Sequence, residues 1–353
     1  MKKLKTLISP RSGLIMVGFL FIASTLMSLS SSVSVKDTSW SLFDAISHKD
    51  IIDFKITSDF ENLKNNRKFQ EDQEAVLSFK DQHGDQHQFS VDLSLRGVYR
   101  RSRSEGIPPL MIEFKKKELK SLGYSKYDDL KLVTYFYEDK KISKEFLIRE
   151  YLIYKLYNAI SEYSYRVQLV NLEVEDVNTG KKDKQMGFVI EDTDELRNRI
   201  GANKLDDSVT IAEENFHKIQ SQIVCVFQYM IGNSDWSIFP RRNVKFFVVN
   251  EQIIMVPYDF DFSGTVNAPY AVPDNFKNIK SIRERIYIGF KDDLEALTPV
   301  LKLFDRKKEK LLSIVNDTRK LSPDSRYEIT NYIKGFYEDI EMRKKEKLAL
   351  PSF

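Results

Sequence analysis

"IGNSDWSIFPRRNVKFF", residues 231–247, runs through a short turn into "IIMVPYDFDFSG", residues 253–264, and sets polar groups at the joints of its elements. An apolar helix is expected to stop at Gly232–Asn233. Asp235 follows that stop, Asn243 opens the first strand of a hairpin, and Asp259 closes the second. A hairpin of this length returns its end to its beginning, which brings Asp259 near Asn243. Asp261 lies two residues further on and shares the face of Asp259 if the strand stays extended. Alone, Asp235 reads as a helix-stop residue and Asp259 and Asp261 as turn residues. Together, with apolar "IIMVPY" leading straight into "DFD", they point to metal and phosphate chemistry. Magnesium favours one or two carboxylates with neutral oxygen ligands and leaves its other positions to phosphate and water. Phosphoryl transfer also asks for a carboxylate beside the attacking hydroxyl and a lysine on the phosphates.

Outward from this stretch, the chain divides by period. "QFSVDLSLRG" alternates Phe89, Val91, Leu93 and Leu95 with polar residues, the pattern of a half-buried strand. "IIDFKITSDF", "EAVLSFKD", "PPLMIEFKK" and "DDLKLVTYFYED" read as further strands. "SKEFLIREYLIYKLYNAIS" switches to helical spacing, with Phe146, Leu147, Tyr151, Leu152 and Leu156 on one side. Two more strands follow, "YRVQLVNLEVEDV" and "KQMGFVIED". Beyond residue 191 helices dominate, at 212–233, 276–289, 291–316 and 322–346, with Ser322 placed to cap the last and Pro323 to begin it. Strands with one inserted helix, then helices with a polar hairpin, is the order of an α+β, two-lobed kinase-like fold. Its strand-rich N-lobe would span 36–190 and its helical C-lobe 191–353.

The first 35 residues form a separate segment. "MKKLKTLISPRSG" is basic, "LIMVGFLFIASTLMSL" (14–29) is an apolar run, and "SSSVSV" follows with small residues. That order predicts a signal peptide. The run also has the length of a minimal span, so an uncleaved membrane anchor through residues 14–29 stays open. Either way an exported, extracytoplasmic protein is expected. The chain has 353 residues with 55 basic and 52 acidic; setting aside Lys2, Lys3, Lys5 and Arg11 leaves 51 basic against 52 acidic. A near-neutral remainder lacks the clustered basic surface of a nucleic-acid binder, so none is expected as a partner. One cysteine, Cys225, excludes an internal disulfide framework and reads as core. "DQHGDQH" at 81–87 lies between strands and reads as a turn.

"GNSDW…N" followed by "PYDFDFSG" resembles the catalytic segment of the CotH-type (spore-coat-type) secreted kinases of bacteria, over residues 90–265. Its "YD" element is also similar to that of HipA-like kinases. The resemblance implies an atypical kinase that uses ATP and Mg2+ as cofactors to phosphorylate an unidentified acceptor, expected to be a protein. It implies Asp235 as catalytic base, Asn243 and Asp259 as metal ligands, and Asp261 as a second carboxylate. For the nucleotide-binding lysine, Lys131 on a strand stands nineteen residues before Glu150 on a helix, and Lys115 is its rival. Arg96, Arg100 and Arg101 around Gly97 are placed either to hold phosphate or to face solvent. The H-R-D, D-F-G and G-x-G-x-x-G motifs of protein kinases are absent. The alternative is a catalytically silent envelope scaffold or binding protein.

Overall fold

In β1 (Ile51–Ser58), Ile52, Phe54 and Ile56 are buried while Asp53 and Lys55 are exposed, as strict alternation demands. The computed structural model describes residues 40–65, 72–97, 106–134, 139–206, 211–273 and 277–352; the leader, Arg100 and Arg101 lie outside them. Among the described residues no helix is long and apolar enough to cross a membrane.

β2 (Gln73–Lys80), β3 (Gln86–Leu95), β4 (Leu110–Phe114), β5 (Asp129–Val133), β6 (Val167–Asp176) and β7 (Lys182–Ile190) join β1 in a closed barrel of order β1-β2-β3-β4-β5-β7-β6. Neighbours are antiparallel except at the closure, where β6 lies parallel to β1 with Ile51 opposite Leu169 and Ser58 opposite Asp176. This corrects the expected fold. The protein is an α+β structure built on a closed seven-stranded mixed barrel, not a two-lobed kinase-like fold. Alternation in sequence assigns each side chain a face but names no partner strand. The pairing that closes the barrel joins strands far apart in the chain and removes the free edges an open sheet would keep. Phe54, Leu77, Phe89, Leu93, Ile112 and Leu172 fill the interior. Each such side chain contributes about 1.5–3 kcal/mol by leaving water.

The helices are α1 (Leu42–Ile46), α2 (Phe60–Asn65), α3 (Lys116–Ser121), α4 (Lys140–Ile160), α5 (Thr193–Arg199), α6 (Lys218–Ile231), α7 (Thr298–Asp317) and α8 (Pro323–Glu346). The second sheet has the order β10-β9-β8, from β8 (Asn203–Lys204), β9 (Val244–Val249) and β10 (Gln252–Pro257). Asp139 caps α4 by accepting from the amides of Lys141 and Ile142. Leu147, Leu152 and Leu156 of α4 join Leu169, Phe188 and Ile190 of the barrel in a second core that also takes in α6, β9, β10, α7 and α8. Buried Arg149 of α4 donates to Val266 O (3.2 Å) and Ser325 Oγ (2.7 Å), and pairs with Glu328 (2.6 Å).

Three local expectations fail. The helix expected over 212–233 begins only at Lys218, where His217 caps it by accepting from Gln220 N. The segment expected as a helix over 276–289 is irregular from Lys277 onward; Tyr287 N donates to Pro351 O at the C-terminal tail instead of to its own preceding turn. The helix expected from 291 begins at Thr298, because Pro299 belongs in a first turn, where its missing N–H costs nothing. The "DQHGDQH" turn stands: Gly84 takes φ 86°, and His87 Nε2 lies 2.8 Å from Asp81 Oδ2. Cys225 is buried in α6.

Candidate active site

α6 ends where Gly232 adopts the left-handed conformation, φ 63°. Asn233 then fixes the loop from both ends of its amide. Its Nδ2 donates to Gln228 Oε1 (3.0 Å) and its Oδ1 accepts from Asp235 N (3.0 Å). Fully buried Trp236 anchors the next position, and Lys277 Nζ donates to Ser234 O. Paired backbone bonds between Ser237 and Arg242 close a turn that returns the chain to Asn243. Asn243 sits at φ 53°, a conformation asparagine tolerates better than most residues. Its Nδ2 donates to Asp235 O (2.6 Å) and to Asp235 Oδ2 (3.0 Å).

Asp235 is therefore held by Asn243 on one side and by Arg242 on the other, Nη1 to Oδ1 at 3.4 Å. Burial raises its pKa above the ordinary aspartate value, and the nearby Asp261 charge adds to that. Arg242, the Asn243 hydrogen bond and Lys277 act in the opposite sense. A carboxylate raised in this way is a better proton acceptor than one in water.

The segment after β10 comes back to the same place. Tyr258 N donates to Asn243 O (3.0 Å), Gly264 N to Gly232 O (2.9 Å) and Thr265 N to Ile231 O (3.0 Å). The strand does not stay extended, so Asp259 and Asp261 do not share a face. β10 stops at Pro257, Asp259 turns left-handed at φ 60°, and Phe260 enters the core against Tyr154 with ring centroids 4.8 Å apart. Asp261 is buried and accepts from Tyr270 OH (3.1 Å), on the side that Asp235 senses. Asp259 is exposed; its amide donates to Tyr154 OH (2.9 Å), and its charge acts on Tyr154 and Tyr258.

Lys131 projects from β5 and is half-buried. Nζ donates to Thr193 Oγ1 (2.9 Å) and Glu191 O (3.3 Å) and lies 5.6 Å from the Tyr165 ring centroid. Burial and Arg96 lower its pKa to about 8, against the opposing pull of Asp192, Asp129 and Glu191. Tyr165 meets Tyr258 edge-on at 6.4 Å, so an unbroken run of contacts leads from Lys131 to the Asp259 segment. Glu150 is buried on α4, and Lys131 makes no ion pair with it among the described residues. Lys115 is a surface residue paired with Asp92 at 2.8 Å. Arg96 lies at the end of β3, close enough to act on Lys131, Tyr154, Tyr165 and Tyr258.

A third acidic group escaped the sequence reading. Carboxylate oxygens of Asp128, Asp129 and Asp192 lie within 4.8 Å of one another and offer three oxygens to a cation. Burial, then the charges of Asp192 and Asp128, push Asp129 up to about 6. Asp192 also caps α5 and accepts from Asp129 N (3.1 Å). The signal was present in "YDDL" and "EDTDE", but acidic pairs at element ends are ordinary caps until the barrel brings β5 beside the end of β7. Buried Glu191 is bound by Arg166 (2.7 Å) and Arg199 (2.7 Å), a knot that fixes the chain between barrel and helices.

Asn243 turns its amide nitrogen to Asp235, and Asp259 follows Tyr258, whose amide donates to Asn243 O; among the described residues the one group of three acidic side chains with oxygens close enough for a single cation is Asp128, Asp129 and Asp192. No family model matches the chain, and no curated protein matches it.

Proposed function

We propose that this site transfers the γ-phosphoryl group of ATP to a hydroxyl on an acceptor protein, as the resemblance to CotH-type kinases implies. The proposal concerns the site and its chemistry, carried on a barrel fold. The observation that supports it most is the Asp235–Asn243 contact, Nδ2 to Oδ2 at 3.0 Å, with Asp261 near enough to raise Asp235. Asp235 accepts the proton of the attacking hydroxyl. Asn243 holds that carboxylate in place and, with Asp259, supplies oxygens for Mg2+; Asp261 backs the site as a second carboxylate. When bound, Mg2+ neutralises phosphate charge as it builds during transfer. Lys131, with Arg96 beside it, contributes positive charge for the phosphates, and buried Glu150 stands behind the site on α4. Export through the leader would place this activity outside the cytoplasm.

A catalytically silent binding protein is the second reading. It is favoured by Lys131 donating to Thr193 and Glu191 where a phosphate lysine would be expected to pair with Glu150. Calorimetry of ATP on the full-length protein with and without Mg2+, followed by transfer of labelled phosphate to envelope protein, separates the two. Mg2+-dependent binding with transfer supports the enzyme. Binding without transfer supports the silent protein, and no ATP binding removes both nucleotide readings.

A further inference from the structure

A row of carboxylates runs across the outer face of the barrel. Glu74 of β2 stands opposite Asp92 of β3, Asp92 opposite Glu113 of β4, and Glu113 opposite Asp129 of β5. Like charges directly opposite one another weaken a strand pair. The row ends at Asp128, Asp129 and Asp192, whose oxygens lie within 4.8 Å of one another. Asp192 is 5% exposed and ties two elements together there. Its Oδ2 accepts from Asp129 N (3.1 Å) on β5, and its Oδ1 accepts from Asp194 N (2.5 Å) and Glu195 N (3.3 Å) at the start of α5.

The charges facing Asp129 do not cancel. Asp192, Asp128 and Glu113 repel its carboxylate, and Lys131 on its own strand attracts it. Lys116 of α3 is paired with Asp128 (3.2 Å) and Lys115 with Asp92 (2.8 Å). Lys131 itself donates to Thr193 Oγ1 and Glu191 O and feels Arg96, while the Glu191 carboxylate is taken by Arg166 and Arg199. Separating β5 from Asp192 would return Asp129 from about 6 to its ordinary 3.8, so the joined form holds the proton more tightly. What this group adds to the contact is therefore lost as pH rises from 3.8 through about 6.

We propose that the meeting of β5 with the start of α5 is a pH-sensitive clasp, closed while Asp129 carries a proton and loosened once it ionises. Protonated, Asp129 removes one of three crowded negative charges and becomes a donor beside the Asp128 and Asp192 oxygens. Ionised, its carboxylate repels the Asp192 side chain to which its own amide is bonded. Thr193 and Glu191 O, the anchors of Lys131, lie on the same segment, so loosening the clasp also releases Lys131 Nζ. Neither nucleotide nor acceptor enters this device, so it stands or falls independently of the proposed phosphotransfer.

The test is amide hydrogen exchange on the full-length protein, with a chelator present so that the carboxylates alone are read. Protection factors, corrected for the intrinsic pH effect, are compared at about pH 4.5 and about pH 7. The amides of Asp129, Asp194 and Glu195 are expected to lose about tenfold in protection over that range, while Val226 in the core of α6 keeps its own. Asp129→Asn should abolish the loss, and Asp128→Asn, which removes one neighbouring charge, should shrink it. Three results would overturn the proposal. Equal protection of wild type at both pH values means that no clasp opens. An undiminished loss in Asp129→Asn assigns the pH dependence to another group, such as Glu195, which burial raises to about 7. A loss shared by Val226 is global unfolding.

Discussion

Asn243 Nδ2 lies 3.0 Å from Asp235 Oδ2, joining the start of β9 to the loop that ends α6. The contact depends on a left-handed backbone at Asn243, φ 53°, so side chain and backbone can be tested apart. Asn243→Ala should cost about 1–2 kcal/mol, from the lost hydrogen bond and the strained conformation together. Asn243→Gly keeps the backbone freedom and should recover part of that stability. Neither variant should bind Mg2+-ATP as wild type does. Urea unfolding with parallel calorimetry checks both; an Asn243→Ala variant as stable as wild type contradicts the contact.

Asp235 predicts a pH dependence. Its folded pKa is raised by burial and by Asp261 above the ordinary 3.8, so the folded protein holds that proton more tightly than the unfolded chain does. Stability from this group therefore falls as pH rises from the unfolded to the folded pKa. Transfer moves the opposite way, since the base must be ionised. The acidic limb of kcat/KM should lie above the range of an exposed aspartate, and Asp235→Asn should abolish that limb. A limb at or below pH 3.8 contradicts the assignment.

Asp129 gives the same sign at a different place. Its carboxyl is raised from 3.8 to about 6 by burial and by the Asp192 and Asp128 charges. Asp129→Asn should stabilise the protein at pH 7 by about 1–2 kcal/mol after allowance for solvent screening, and by nothing below about pH 4. Denaturation at both pH values checks it, and a destabilised variant at pH 7 would show that the carboxylate is bound by something favourable.

Gly232 is fixed by conformation and by space. A Cβ there would lie 2.0 Å from Tyr332 OH, while that hydroxyl donates to Arg283 O (2.9 Å) and its ring is covered by Arg285 at 3.9 Å. The tyrosine cannot retreat without losing those contacts. Gly232→Ala should cost at least about 2 kcal/mol, partly recovered by Tyr332→Phe in the double variant. Thermal unfolding of the three variants measures it; a neutral Gly232→Ala shows that the loop gives way.

The sequence carried local structure further than architecture. Alternation in residues 88–97 and helical spacing in 143–161 were readable because period follows from which face is buried. The parallel pairing of Ile51–Ser58 with Leu169–Asp176 was not, because nothing local records a partner that distant. At the site, the helix stop at Gly232 was legible as a cap and the hairpin as what returns the chain after β10 to Asn243, where Tyr258 N donates to Asn243 O; the Ser237–Arg242 turn that sets Asn243 against Asp235 was not. The divergence of Asp259 from Asp261 was hidden in one dihedral angle, and Lys131 found Thr193 because the chain after β7 lies beside β5. The Asp128–Asp129–Asp192 group needed the same juxtaposition to become visible.

The most direct test compares Asp235→Asn with Asp259→Ala in the full-length protein, by Mg2+-ATP calorimetry and labelled phosphate transfer. Asp235 works on the proton in the transition state, so Asp235→Asn should leave binding nearly intact and lower turnover by roughly a hundredfold or more. Asp259 is assigned to the metal, so Asp259→Ala should weaken Mg2+-ATP binding and abolish transfer together. Wild-type protein that binds ATP but transfers nothing, with neither substitution changing the binding, would contradict the account.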